Sequence, residues 1–569
     1  MEAVNVVYRG RRSRSYSSTP QESGFIELLS DNWDDYGYKT SFAVSANING
    51  QDVELGSIRL LIDGEYTSSI YLDRLFREGW DGSFPIPETN YISVPGDITF
   101  YEQLEGLLPV EDLRRVAQLL RDASFLVRII NDEAAAALTQ TAGFTESLQR
   151  ERGSVKAYLD GWRVFERAAI DVLNLGFQFR DVFGNSSHLD LRFQSGSPLP
   201  HDINVLIGPN GVGKSQALHQ MVGEWIDPSF QEGVGFETKP NLSQIVVVSY
   251  SPFERFPVDL KGKRLQDLEA YKYFGFRGRR GEQESASPIE LSHSFPKRNA
   301  AHALINCAAD DLRYRSIRDW SHKTETMERV LRSAFEFDFA AVEVPASGRL
   351  DRYYRGNPFS RSAPIEYQEG DEPHRFIPIT REEIDRIEIE QLLRRVKAES
   401  GVTFFRANRP IELSSGQRLF AYIVINILGA IRRNSLLLID EPELFLHPTL
   451  EIQFVDMLKE ILAAFNSKAL LATHSVVTVR EVPSDCVHVM ARTTDGLVIN
   501  NPPFQTFGGD FQRISSYVFG DRTISKPFEE WIRDQLEERG SADALIEVLG
   551  NDISEELIVQ IKAMGAHKW

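Results

Sequence analysis

Apolar positions along the 569-residue chain follow three different patterns. Between residues 23 and 100, short β-prone runs such as Phe42-Ala-Val-Ser-Ala-Asn-Ile48 and Ser57-Ile-Arg-Leu-Leu-Ile62 are punctuated by Asn49-Gly50 and Asp63-Gly64, which predicts strands joined by tight turns. From Val110 to Ala123 the period becomes helical, with Leu113, Val116, Leu119 and Leu120 on one face. Further on, Ile203-Asn-Val-Leu-Ile207, Ile245-Val-Val-Val-Ser249, Leu436-Leu-Leu-Ile439 and Ala469-Leu-Leu-Ala-Thr473 are continuous apolar runs of strand length, with helical stretches at Leu218–Ile226 and Leu419–Ile431. Such runs predict parallel strands buried on both faces and covered by helices, an α/β arrangement.

These patterns divide the chain. Residues 1–20, with Arg9, Arg11, Arg12 and Arg14 among Ser and Gly, read as a flexible basic arm. Residues 21–150 read as a strand-rich α+β domain. Residues 155–250 and 406–505 carry the buried strands. Residues 251–405 read as a long, α-rich, charged insertion between them, and 506–569 as a helical extension. No repeat, heptad run or low-complexity stretch interrupts this order.

Composition narrows the function classes. The net charge is −19, so any nucleic-acid contact must use a local basic patch. Residues 1–150 hold 13 Lys and Arg against 23 Asp and Glu, a surface suited to a protein partner. No apolar run approaches a membrane span, and the first residues lack the apolar stretch of a secretory signal, so no membrane role and a cytoplasmic location are expected. Two cysteines, Cys307 and Cys486, are read as making neither a disulfide framework nor a zinc site, and a reducing cytoplasm with no structural metal is expected.

Four short segments carry chemistry. Gly208-Pro-Asn210-Gly211-Val-Gly213-Lys214-Ser215-Gln216 contains G-x-x-x-x-G-K-S between a predicted strand and helix. Its glycines let backbone N–H groups curl around phosphate, Lys214 reaches the β- and γ-phosphates, and the Ser215 hydroxyl ligates Mg²⁺. Asp440 and Glu441 end a buried strand, the first suited to Mg²⁺ and the second to orienting or deprotonating a water. Ser414-Ser415-Gly416-Gln417 and the strand-end His474 complete the set. Taken alone, the former is also a polar helix cap and the latter also a satisfied core histidine.

In their chain order of phosphate loop, Ser414–Gln417, acidic strand and His474, the four segments resemble the ABC ATPase superfamily over roughly residues 165–250 and 405–500. The resemblance implies a P-loop ABC ATPase domain with a mixed parallel sheet, the cofactors ATP and Mg²⁺, and ATP hydrolysis. Lys214, Ser215 and Asp440 would bind nucleotide and metal. Glu441 matches the catalytic glutamate and His474 the γ-phosphate switch. Ser414 and Gly416, with Gln417, match the signature that meets the nucleotide of a second subunit, which implies an ATP-dependent dimer. Two departures stand out: Ser415 occupies a usual glycine, and no glutamine follows the strand ending at Ser249, where Ser251 or Glu254 is the available substitute. Glu441-Pro-Glu443-Leu-Phe-Leu-His447-Pro448 resembles the RecF, OLD and SMC-like branch, and the segments after residue 250 resemble stand-alone anti-phage ATPases of the Septu type. That implies an effector partner, such as a nuclease, since no nuclease motif lies in this chain. A transporter subunit and a non-hydrolysing scaffold are the competing readings.

Lys261, Lys263, Arg264, Lys272, Arg277, Arg279 and Arg280, interleaved with Tyr271, Tyr273, Phe274 and Phe276, form the candidate DNA or RNA patch. The competing reading turns the aromatics into the core and the arginines toward ATP or a partner subunit.

Overall fold

A computed structural model describes residues 4–11, 24–30, 38–261, 263, 265, 267–279, 288–347, 352–354, 364–369, 372–494, 496–519 and 527–566. The chain divides into two units, Met1–Gly508 and Gly509–Trp569.

In the first unit, β1 (Asn5–Arg11), β2 (Phe25–Ser30), β3 (Ser41–Ile48), β4 (Gln51–Ile62) and β5 (Tyr91–Pro95) form a sheet in sequence order. β1 and β2 are parallel and the other pairs antiparallel. Residues 5–11 are therefore a strand, where the sequence suggested a flexible arm. Val4, Val6 and Tyr8 alternate into the core while Arg9 falls on the other face, and the basic residues of the sequence masked that period. Residues 12–20 of the expected arm lie outside the described residues. Asn49 and Gly50 both have positive φ (54° and 77°), as a two-residue hairpin turn matching strand twist requires. The core of this lobe continues past residue 150 through Ala157, Val164 and Phe165 of the helix Arg152–Glu166.

Next, β6 (Leu175–Arg180) and β7 (Ser186–Leu191) form a hairpin, and β8 (Ile203–Ile207) leads to the glycine loop. β9 (Gly235–Phe236) pairs with β6, while β10 (Gln244–Ser249) and β11 (Tyr271–Gly275) join the central sheet. The insertion adds β12 (Arg277–Arg279), β13 (Ile289–Leu291), β14 (Phe339–Val344), β15 (Ile365–Glu369), β16 (Glu372–Ile379), β17 (Val402–Arg406) and β18 (Arg409–Pro410). Its helices Ser294–Arg313 and Lys323–Arg332 are thus accompanied by an antiparallel sheet, β15-β16-β14-β17-β18. The expectation of an α-rich insertion is corrected to α+β: half-buried strands set among charged residues give a weak periodic signal.

The remaining strands are β19 (Ser435–Asp440), β20 (Lys468–Thr473), β21 (Val487–Thr493) and β22 (Gly496–Asn500). The central sheet runs β11-β10-β19-β20-β8-β21-β22, parallel throughout except for the β22 edge. Every residue of β8, β10, β19 and β20 is buried, the cause of their unbroken apolar runs. The second unit packs the helices Pro527–Arg539, Ala542–Leu549 and Glu555–Ala566 around Ile532, Leu545 and Ile561. Among the described residues no helix is long and apolar enough to cross a membrane.

Candidate nucleotide site

Three neighbouring parallel strands, β8, β20 and β19, deliver the site from their carboxyl ends. Register pairs Asp440 with Ala472, and Thr473 with Ile207, so Asp440, His474 and Gly208 emerge side by side. A Cβ at Gly208 would lie 2.3 Å from the Met490 carbonyl oxygen, so only glycine passes β21 at that point. Gly211 (φ 71°) and Gly213 (φ 108°) take left-handed conformations that curl the loop into the helix Lys214–Ile226. Asn210 is exposed on this loop, and the Arg492 guanidinium donates to the Gly211 carbonyl.

The Lys214 ammonium donates to the Gly208 carbonyl at 3.0 Å and to His474 Nε2 at 2.8 Å. Ser215 Oγ donates to Asp440 Oδ1 at 2.9 Å. That spacing suits Mg²⁺: two adjacent ligands of an octahedral ion with bonds of about 2.0–2.1 Å lie about 2.9 Å apart. The hydroxyl and carboxylate therefore fit the ion without rearrangement of the backbone. Glu441 holds a left-handed conformation (φ 50°, ψ 55°), uncommon for a residue with a Cβ, while its N–H donates to the Ala472 carbonyl. Its Oε1 lies 3.9 Å from His474 Nε2.

Burial dominates the electrostatics. It raises Asp440 to about 7, opposed by the Ser215 hydrogen bond and reinforced by Glu441. It lowers Lys214 to about 8, opposed by Glu441, Glu443 and Asp440. It lowers His474 to about 4, helped by the Lys214 charge. His474 is therefore neutral at pH 7, and because Lys214 donates to Nε2, that nitrogen carries a lone pair.

The sequence reading gave Glu443 no role. Its Oε1 accepts the His474 N–H at 2.5 Å, and its Oε2 is buried with no hydrogen-bond partner among the described residues. Burial raises its pKa. The available signal was its place two residues after Glu441, where a third acid gathers on one turn. Glu451, which accepts from Ser475 Oγ at 2.5 Å, was missed because it lies on the following helix.

Other candidates stand elsewhere. Ser414 caps the helix Ser415–Ala430, and its side chain and that of Gln417 bond reciprocally to each other's backbone N–H. Ser415 is the first helical residue, a position that serine occupies without strain. Among the described residues, Ser414, Gly416 and Gln417 make no hydrogen bond to the phosphate loop, Asp440, Glu441 or His474. Gln216, expected at the nucleotide, instead donates its amide to the Arg180 carbonyl at 3.0 Å and anchors β6 to the helix.

Glu254 is not a free substitute for the absent glutamine. It accepts from Tyr273 Oη at 2.5 Å, the Phe256 N–H at 2.7 Å and Arg277 Nη1 at 3.3 Å. Between this anchor and β10, Phe253 is 88% exposed.

The same contacts correct the base-stacking reading. Tyr271, Tyr273 and Phe276 are buried, because β11 belongs to the central sheet. Arg277 pairs with Glu254, Arg279 with Asp259 and Lys272 with Glu269. Lys261 and Lys263 are exposed, and Arg264 and Arg280 lie outside the described residues.

A phosphate loop between a central parallel strand and a helix, facing a strand-end Asp-Glu pair, is the arrangement of a P-loop nucleotide-binding domain. Residues 203–480 match the family model described as "AAA domain, putative AbiEii toxin, Type IV TA system". The chain is similar to "Protein ea59" of Escherichia phage lambda, 23% identical over 556 residues that cover 94% of each chain. Among solved structures it is matched to the SMC head domain from Thermotoga maritima, at 10% identity over 59% of this chain and 100% of that one, with a TM-score of 0.23.

Proposed function

We propose that this chain is an ATP-hydrolysing switch whose two active sites are each shared between two copies. The carrying observation is a separation within one chain. Lys214, Ser215, Asp440, Glu441 and His474 converge, whereas the capped helix end bearing Ser414 and Gly416 has no hydrogen bond to them and stands exposed. A helix N-terminus offers orphan N–H groups and partial positive charge to a phosphate, here one held by the other copy.

In that pairing Lys214 leaves His474 for the β- and γ-phosphates, and Ser215 and Asp440 hold Mg²⁺, which neutralises phosphate charge. Glu441 accepts the proton of the attacking water. For His474 to donate to the γ-phosphate, its proton must move to Nε2, the atom that accepts from Lys214 before nucleotide arrives.

Glu441→Gln is expected to bind ATP, lose at least about a hundredfold in turnover, and run as a dimer in ATP by light scattering. A stricter test mixes two inactive variants, Lys214→Ala and Ser414→Arg. A shared-site dimer regains one intact site, so activity returns on mixing. Activity absent from both the separate and mixed variants, with both folded, sinks the shared-site reading.

A scaffold with slow turnover is the second reading, favoured by the anchoring of Glu254, which leaves Ser251 as the substitute at the usual glutamine position. The acidic N-terminal lobe suits an effector protein as partner, and DNA or RNA is the alternative ligand. The similarity to a phage protein and to a model named for a toxin–antitoxin system supports a setting in phage–host conflict. Nucleic-acid stimulation of the ATPase rate, against co-purification of an effector, separates these partners.

A further inference from the structure

At the far end of the sheet from the phosphate loop, the amino ends of β8 and β21 lie together. His201 precedes the first strand, and Asp485 and Cys486 precede the second. We propose that these three side chains form a site for a thiophilic divalent cation, zinc by its chemistry, that staples the two strands.

The geometry starts from His201, which is buried. Its Nδ1 lies 2.7 Å from the Leu199 carbonyl, which can only accept, so Nδ1 carries a proton. The other nitrogen, Nε2, faces Asp485 Oδ2 at 3.2 Å. In the neutral ring that places a lone pair against a carboxylate, an arrangement relieved by a cation between them or by a second ring proton. Cys486 Sγ completes the group, and all three donor atoms lie within 4.8 Å of one another. A tetrahedral zinc ion with bonds of about 2.0–2.3 Å requires donor separations of about 3.3–3.7 Å. The His–Asp edge is near that value, and Cys486 Sγ lies within 4.8 Å of both other donors.

The ring N–H bonded to a backbone carbonyl is the outer contact that orients a metal-binding histidine. Asp485 is 41% exposed, which leaves an entry path and room for a water as fourth ligand. Cys486 Sγ donates to the Arg192 carbonyl at 3.4 Å, and because a carbonyl only accepts, the thiol carries its proton without metal. Binding therefore exchanges one S–H bond for one S–metal bond and releases the proton to water; no electron moves. The other charges around the thiol are Arg192, which pairs with Asp190, and Asp202 and Lys468, which pair with each other. Counting cysteines hides such a mixed site, because its ligands come from two distant segments.

The test uses the full chain, stripped with EDTA, saturated with Mg²⁺ and titrated with Co²⁺. One equivalent should bind with visible bands of a tetrahedral ion and a near-ultraviolet thiolate-to-cobalt band, both erased by Zn²⁺. Cys486→Ser should remove the near-ultraviolet band and Cys307→Ser should keep it. His201→Ala, or His201→Gln if the first does not fold, should weaken Co²⁺ at least about tenfold. No thiolate band in the wild type, or one that persists in Cys486→Ser, overturns the proposal. An imidazolium–carboxylate ion pair then accounts for the contact, and the nucleotide-site reading is untouched.

Discussion

Lys214 and His474 answer for each other's charge. The imidazole is held near pKa 4 by burial first and by the ammonium second. In Lys214→Met only the second cause is removed, so His474 should titrate higher than in the wild type yet still below an ordinary histidine, as read by ring NMR shifts. The sign for stability follows from a folded pKa below the unfolded one. The neutral ring stabilises fully above about pH 6.5, and that contribution is lost as pH falls toward about 4. Urea unfolding of the wild type against His474→Asn should therefore show a gap that narrows across this window. A gap constant with pH would mean that the ring titrates alike in both states. Glu443, holding the His474 N–H, belongs to the same group of side chains. The sequence shows it within the Glu441-Pro-Glu443 motif but not what it holds: residue types at fixed spacing reveal groups that touch ligand, and much less those that touch the groups.

Elements were legible where one physical demand dominated. The phosphate loop needs glycine at Gly208 for the approach to Met490 and at Gly211 and Gly213 for left-handed turns, so its sequence has little freedom. β8, β19 and β20 are buried on both faces and read directly as apolar runs. β1 was obscured by arginines on its outer face, and the insertion sheet by strands that alternate among charges. The role of β11 was misread because a buried strand edge and a stacking surface use the same aromatic residues. The signature helix carries a further demand invisible in sequence. A Cβ on Gly429 would lie 2.6 Å from Ala303 Cα and carbonyl oxygen, so this helix and Ser294–Arg313 pack backbone against backbone. Gly429→Ala should cost about 1–3 kcal/mol in urea unfolding and reduce ATP turnover by shifting the helix. Ala303→Gly should recover only part of it, since backbone atoms share the clash. An unchanged midpoint would show that the helices part without cost.

At the scale of the first unit, the N-terminal lobe grips the link between the helix Ser415–Ala430 and β19. Arg432 Nη1 donates to Asp97 at 3.1 Å, and Arg433 Nη1 to Glu102 at 2.9 Å. A Cβ on Gly106 would lie 1.7 Å from the Ser316 carbonyl oxygen, so the lobe also seats directly on the insertion. Burial raises the Glu102 pKa and the Arg433 guanidinium opposes that rise. Arg433→Glu should therefore destabilise by about 3–5 kcal/mol by calorimetry or urea, and the swap Arg433→Glu with Glu102→Arg should restore much of it. If the swap is no better than the single change, the pair is not coupled.

This grip also bears on how such a chain is inherited. Arg432 and Arg433 lie just before the strand that carries Asp440, and their partners lie more than three hundred residues earlier. A recombination that exchanged the N-terminal lobe alone would take from Arg432 and Arg433 their Asp97 and Glu102 partners and press a foreign surface against Ser316. The two lobes should therefore pass between genomes as one cassette, and hybrids crossed between them should survive only when acids matching Asp97 and Glu102, and a glycine matching Gly106, travel with the new lobe.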